Sequence, residues 1–260
     1  MPLLSTRFHT FGAEHLILIA MFLLVLVALV VVGRTRGDSV VLRRALAVVI
    51  PCFTVPMQVQ QLLPSDFGLG TSLPLQYCDL AWGIAAYALW TRRPWAVALT
   101  YFWGLTLTTQ GIITPSLEQQ FPDPRFFMFF GMHFLTVWAA GYLVATGARP
   151  TWSSYRFAVL VTALWAGVVM TFNGVAGTNY GYLNAKPPGA SALDLLPAWP
   201  TYVLIEVLLI AGVWALMTWP FARRAPFDRL PPRARAEHGH LHHHRVRRPR
   251  RLRQHGPGRA

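Results

Sequence analysis

The chain has 260 residues, of which 54% are hydrophobic and only 13% charged. A soluble domain carries roughly a quarter charged residues, so composition excludes an ordinary water-soluble globular protein and favours a membrane class. The net charge of +13 sits mostly in the last forty residues, where twelve Arg beyond Phe221 face only Asp228 and Glu237, and Lys186 is the single lysine.

A hydrocarbon core of about 30 Å needs roughly 20 apolar residues as helix. Seven windows meet that length in chain order: His15–Gly33, Leu42–Leu63, Leu73–Thr91, Trp95–Thr114, Phe126–Thr146, Arg156–Gly177 and Trp199–Phe221. The predicted fold is therefore all-α, a polytopic membrane helix bundle of about seven transmembrane helices. The first window lacks a small-residue cleavage site, and Arg34 and Arg36 follow its apolar run rather than preceding it. A cleaved signal peptide has the opposite charge order, so an uncleaved span is expected. The second window carries Pro51, Pro56 and the polar Gln58, Gln60 and Gln61. Membrane helices tolerate proline when neighbours satisfy the freed carbonyls, which predicts a kinked helix. Cys52 lies in the middle of this window and Cys78 near the start of the next, too far apart in depth for a disulfide. No cysteine metal pattern is present.

Loop charges set the orientation. Arg34, Arg36, Arg43, Arg44, Arg92, Arg93, Arg149 and Arg156 fall on one side, while Arg7, Arg125 and Lys186 fall on the other. This places the N-terminus outside and the C-terminus inside. The domain reading is a membrane-embedded bundle over residues 1–221 and a disordered basic cytoplasmic tail over 222–260. That tail contains Glu237-His-Gly-His-Leu-His-His-His-Arg245, which has metal-binding potential. The favoured reading is attraction to anionic inner-leaflet lipids, worth about 1 kcal/mol per basic residue near the surface. No nucleic-acid partner, metal or cofactor is expected.

Polar side chains inside a membrane are costly and are functional hypotheses by default. At about 1.5 Å per residue, each can be placed in depth. His15 opens the first span, and Gln60 and Gln61 lie within a turn of the end of the second. Cys78 and Asp79 lie roughly 8 Å into the third, and Gln110 roughly 6 Å from the end of the fourth. His133 lies roughly 10 Å into the fifth, and Asn173 roughly 6 Å from the end of the sixth. These residues come early in odd spans and late in even ones, so one polar cluster near the outer surface is predicted. Residues Thr178–Pro197 between the last two spans are rich in aromatic and apolar groups. A connection of about twenty residues exceeds the usual loop length, so a lid or re-entrant segment is expected. Lys186 at its centre is suited to a lipid phosphate or carboxylate as a point charge.

A cysteine becomes a nucleophile when a base or positive neighbour stabilises its thiolate. Cys78 and His133 are predicted at matching depth, with Asp79 available to orient the imidazole or cap the helix. His15 is an equal rival as base, and simple packing is the bland alternative for Cys78. Cys52 is taken as packing.

Four stretches resemble the YwaF family of bacterial integral membrane proteins, to which the eukaryotic transmembrane protein 164 is similar. They are Leu73-Pro-Leu-Gln-Tyr-Cys-Asp-Leu80, Tyr101-Phe-Trp-Gly-Leu through Gln110 to Thr114-Pro115, and Phe129-Phe-Gly-Met-His133. The fourth is Asn179-Tyr-Gly-Tyr-Leu-Asn-Ala-Lys-Pro187 followed by Ala198-Trp-Pro-Thr-Tyr202. The likeness runs from His15 into the last span and leaves out the tail. The eukaryotic relative is identified as a phospholipid acyltransferase that forms a cysteine acyl-enzyme. The resemblance thus implies Cys78 as acyl acceptor and His133 as its partner. Many members carry His where this chain has Gln76; if that His is the activating base, this chain is impaired or relies on His133. On this reading Lys186 and the amides of Gln76, Gln110 and Asn179 hold a headgroup or an oxyanion. Asp79, Asn173, Tyr180 and His15 complete the predicted binding set. The expected place is the bacterial plasma membrane, with membrane lipids as partners. Two other readings stand beside the enzyme: a small-molecule binding or transport protein, and a membrane assembly protein without chemistry. A transporter usually places its site at the midplane within inverted repeats, and neither feature is visible in the sequence.

Overall fold

A computed structural model describes residues 8–117, 119–187 and 191–222. The chain divides into two units, Met1–Ala222 and Arg223–Ala260, and the basic His/Arg-rich tail lies outside the described residues. Every regular element among the described residues is helical. In chain order they are α1 (Ala13–Arg36), α2 (Val40–Gln61), α3 (Tyr77–Thr91), α4 (Pro94–Phe102), α5 (Thr108–Ile113), α6 (Pro124–Ala145), α7 (Trp152–Ala176) and α8 (Thr201–Ala222). A π-helical turn over Trp103–Leu107 joins α4 to α5 into one continuous rod. Six helices are long and apolar enough to cross a membrane, with Pro94–Ile113 counted as one.

The third predicted span is shorter than its window. α3 has 15 residues, which rise about 22 Å, less than a full hydrocarbon core. Leu73–Gln76 is not helical because Pro74 blocks helical geometry just upstream. The helix begins where Asp79 can cap it: the Asp79 carboxylate accepts the N–H of Gln76 at 3.1 Å, three residues before it. α2, by contrast, continues as one helix through Pro51 and Pro56.

α6 is the hub. Fourteen of its 22 residues are buried, from Phe126 to Leu143, so its neighbours are arranged around it. α1 runs alongside in the same direction. Phe22 packs on Phe134 and Trp138, and the Trp138 indole donates to the Phe22 carbonyl at 3.1 Å. α2 and α3 pack on a second side through Ala47, Ile50, Ala85, Ala88, Leu89, Leu135, Ala139 and Tyr142. The α4–α5 rod covers a third side, where Gly104 lets it approach Ala140 closely. α7 and α8 lie beyond that rod, anchored by two indole-to-hydroxyl bonds: Trp103 to Thr162 at 2.8 Å and Trp214 to Thr106 at 2.9 Å. Without water in a bilayer core, each buried indole N–H needs such an internal acceptor.

At the end of the bundle where α3 terminates, three charged residues form a clasp. Arg43 is buried and donates to the carbonyls of Leu89 and Trp90 in the last turn of α3. It also pairs with Asp38 at 3.2 Å, and Asp38 pairs in turn with Arg92 at 2.8 Å. Arg92 is the left-handed C-cap of α3 and donates to the Thr146 carbonyl at 3.3 Å. Three inter-helix turns are tied together by these residues.

Candidate functional site

The other end of the bundle holds the residues singled out in the sequence. Asn173, in the last turn of α7, is buried and uses its whole amide. Its Nδ2 donates to the Tyr180 carbonyl at 2.9 Å and to Asn184 Oδ1 at 3.0 Å. Its Oδ1 accepts from the Tyr180 N–H and the Thr178 hydroxyl, both at 2.8 Å. Asn179 does the same for the next stretch, accepting from the N–H groups of Asn184 and Ala185 and donating to the Ala185 carbonyl. Tyr180 is fully buried, and its phenol accepts from the Leu73 N–H at 3.0 Å and donates to the Leu69 carbonyl at 2.8 Å. The predicted lid is thus folded down onto α7 and onto the segment leading into α3. The Tyr202 hydroxyl meets the Tyr182 carbonyl, and the Trp199 indole donates to the Leu183 carbonyl at 3.1 Å. Lys186 donates to the Leu196 carbonyl at 2.7 Å, with its ammonium 5.9 Å from the centre of the Tyr202 ring.

Gln76 bridges this loop to α3. Its Oε1 accepts the N–H of Gly181 at 2.8 Å. Gly181 takes φ +66°, and Trp165 lies close against its Cα, so both conformation and space call for glycine. Cys78 follows as the second residue of α3 and is half-buried. Its sulfur makes no hydrogen bond among the described residues, whereas Gln76, Tyr77 and Asp79 around it all make one. Tyr77 hydrogen-bonds the Leu107 carbonyl at the end of the π turn and meets Trp165 edge-on at 6.0 Å.

The two histidines separate clearly. His15 is fully buried, accepts the Phe11 N–H on Nδ1 at 2.9 Å and therefore carries its proton on Nε2, which donates to the Ile112 carbonyl at 2.7 Å. Both nitrogens are engaged, and His15 acts as a clamp between α1 and α5. His133 points Nδ1 at the Phe129 carbonyl at 2.6 Å, so its proton is there and Nε2 keeps a lone pair. That Nε2 has no hydrogen-bond partner among the described residues. It rests against Gly111, where a Cβ would press into the imidazole. Gly111→Ala is expected to displace the ring or spread α5 from α6, at a cost of about 1–3 kcal/mol. Detergent thermal unfolding reads that cost, and an unchanged midpoint would show that the packing tolerates the methyl.

The single polar cluster expected from depth resolves into two groups at the same end of the bundle. Gln76, Cys78, Asp79, Asn173, Asn179, Tyr180 and Lys186 gather around α3, α7 and the loop. His15 and His133 gather where α1, α5 and α6 meet, and no hydrogen bond links Cys78 to His133 in this structure. Gln110 is exposed on α5. Gln60 and Gln61 line a small crevice with Met57, Asp66, Arg125 and Met128, with room for about one water molecule.

The sequence reading passed over Glu206. It lies in the second turn of α8 and is half-buried, and it interacts electrostatically with the phenols of Tyr77 and Tyr202. An acid in a 22-residue apolar helix is a visible signal in the sequence. The model of the TMEM164 family matches residues 10–218, which spans all eight helices except the last residues of α8. No curated protein and no solved structure matches the chain.

Proposed function

We propose, for a chain that belongs to the TMEM164 family and is a multi-pass membrane protein, that it transfers acyl groups between membrane lipids through a thioester on Cys78. The observation that carries this reading is the uncommitted thiol in the first turn of α3, among neighbours whose polar groups are all fastened to the fold. Proton transfer falls to His133, since His15 has no free lone pair and His133 keeps one on Nε2. Approach of the imidazole to the thiol then requires movement of α5 or α6, because the two groups share no hydrogen bond at rest. In the first step the thiol proton goes to His133 Nε2 and sulfur attacks the acyl carbonyl of the donor lipid; the ester C–O bond breaks, and the lysolipid oxygen leaves with the proton returned from His133. The first-turn N–H groups of α3 face the developing oxyanion. Lys186 has two ammonium protons beyond the one given to Leu196 and is placed to meet a phosphate.

The setting in this proposal is the outer leaflet of a bacterial plasma membrane, in the YwaF branch. The excess of Arg on one set of loops supports that orientation, and the near-absence of Lys supports a GC-rich bacterial source. The basic tail is assigned to the anionic inner leaflet. The test is labelling with an alkyne-bearing acyl lipid. Wild type and Cys52→Ser should show hydroxylamine-labile label, and Cys78→Ser should show none. Folded wild-type protein that takes no label would overturn the acyl-enzyme and leave binding or assembly as the function.

A further inference from the structure

Threonines inside a helix commonly return their hydroxyl to the carbonyl four residues back, as Thr100, Thr106 and Thr114 of the α4–α5 rod do. Thr108 does not. It is 1% exposed, and its hydroxyl has no partner among the described residues. The cause is the π turn over Trp103–Leu107. The extra residue of that turn sends the Thr108 N–H to the Trp103 carbonyl. The Gly104 carbonyl, four residues before Thr108, is taken instead by the Thr109 hydroxyl at 3.1 Å. An unpaired hydroxyl is costly where no water can replace its partner. The wide turn is therefore not the register that bonding within the rod favours, and neighbouring helices hold it there.

Tyr77 is the holder at the turn itself. Its phenol donates to the carbonyl of Leu107, the last residue of the π turn. Among the described residues this is the one hydrogen bond between a side chain of α3 and the rod. Trp165 meets the Tyr77 ring edge-on, and Cys78 is the next residue along α3. One turn past Thr108 on the same face, Gly111 lies against the His133 imidazole, with Nε2 where a Cβ would go. Just beyond, His15 holds the Ile112 carbonyl at 2.7 Å. The cover of His133 thus lies between two anchors, Tyr77 at Leu107 and His15 at Ile112.

We infer that the α4–α5 rod is a two-register switch latched by Tyr77, and that its shift uncovers Nε2 of His133. This rests on the acyl-enzyme reading, which requires the imidazole to move. When Tyr77 releases Leu107, the wide turn closes to α-helix and the residues from Leu107 to Gln110 each advance one place, about 100° around the axis. Thr108 then gains the Gly104 carbonyl, as the other threonines of the rod gain theirs. Gln110, exposed at rest, takes the place of Gly111, and its side chain displaces the imidazole from beneath α5. His15 keeps Ile112 in position. Gly111, free of a side chain, becomes the extra residue of a wide turn moved along the helix. Two discrete packings of one element are the usual material of such switches.

The experiment uses the full chain in nanodiscs. Diethyl pyrocarbonate modifies accessible imidazoles, each site being followed by mass spectrometry, and labelling of Cys78 by an alkyne-acyl phospholipid is measured in parallel. Tyr77→Phe keeps the ring against Trp165 but removes the latch. It should speed modification of His133 about fivefold, the scale of one hydrogen bond, and leave His15 unchanged. Thr108→Val removes the bond gained in the shifted register and should slow His133 by a similar factor. The double variant should return close to wild type, and labelling of Cys78 should follow His133 throughout. With Cys52→Ser and Cys78→Ser, the pair Gln110→Cys and His133→Cys should cross-link on oxidation, faster when Tyr77→Phe is added. The switch is overturned if Tyr77→Phe leaves His133 at the wild-type rate, if His15 quickens equally, or if Thr108→Val does not slow His133. Should Tyr77→Phe fail to fold, Thr108→Val and the cross-link alone decide. Label on Cys78 with His133 unmoved by these variants removes the switch and keeps the acyl-enzyme. The expected His133 pattern without label on wild type keeps the switch and removes the acyl-enzyme.

Discussion

Asn173→Ala is expected to destabilise the protein by about 3 kcal/mol, read as a clear fall in the unfolding midpoint in detergent. Burial of the amide is nearly complete, and four hydrogen bonds end on it. Two of them satisfy the N–H and carbonyl of Tyr180, a residue with no exposed surface. Removing the partner of a buried backbone group costs about 1–3 kcal/mol for each group left unpaired, and no water is available inside the bundle to replace it. The effect should spread through Tyr180, whose phenol holds the backbone at Leu69 and Leu73 ahead of α3. Limited proteolysis should therefore cut both the 178–187 loop and the 64–76 segment faster than in wild type. Wild-type stability and protection in this variant would mean that the loop is held by its apolar cluster alone.

Arg43→Met should cost a similar amount, about 3 kcal/mol, at the opposite end of the bundle. Methionine keeps most of the aliphatic volume, so the loss isolates the guanidinium. That group donates to two terminal carbonyls of α3 and pairs with Asp38. Breaking a buried pair by removing one partner is typically worth about 3–5 kcal/mol. The lower end applies here because Asp38 retains Arg92. Combining Arg43→Met with Asp38→Ala should cost less than the two separate losses together, since the residues share one network. Strict additivity in that cycle would show that Arg43 acts on α3 alone. Acyl labelling of Cys78 should survive at temperatures where the double variant is folded, because the clasp is at the far end of α3.

Much of this molecule is legible in its pattern of apolar runs. Six of the seven windows correspond to helices of spanning length, and their limits shift by only a few residues. The exception is instructive. Leu73–Thr91 is apolar enough to resemble a full span, but hydropathy does not register that Pro74 and the Asp79 cap start the helix at Tyr77. The π turn at Trp103–Leu107 is equally silent in the sequence, because it depends on how the α4–α5 rod fits against α6.

The polar residues divide along the same line. Their alternation between early and late positions placed them at one end of the bundle, since depth follows from counting residues along straight helices. Rotation about each helix axis does not follow from counting. It is set by packing, and packing turned His15 into a clamp on Ile112, left His133 with a free nitrogen against Gly111, and committed Asn173, Asn179 and Tyr180 to the loop. Composition and hydropathy alone determined an all-helical membrane protein and the height of its polar groups. Which of those groups face one another was decided by the tertiary structure, because side-chain direction depends on neighbours that are distant in the chain.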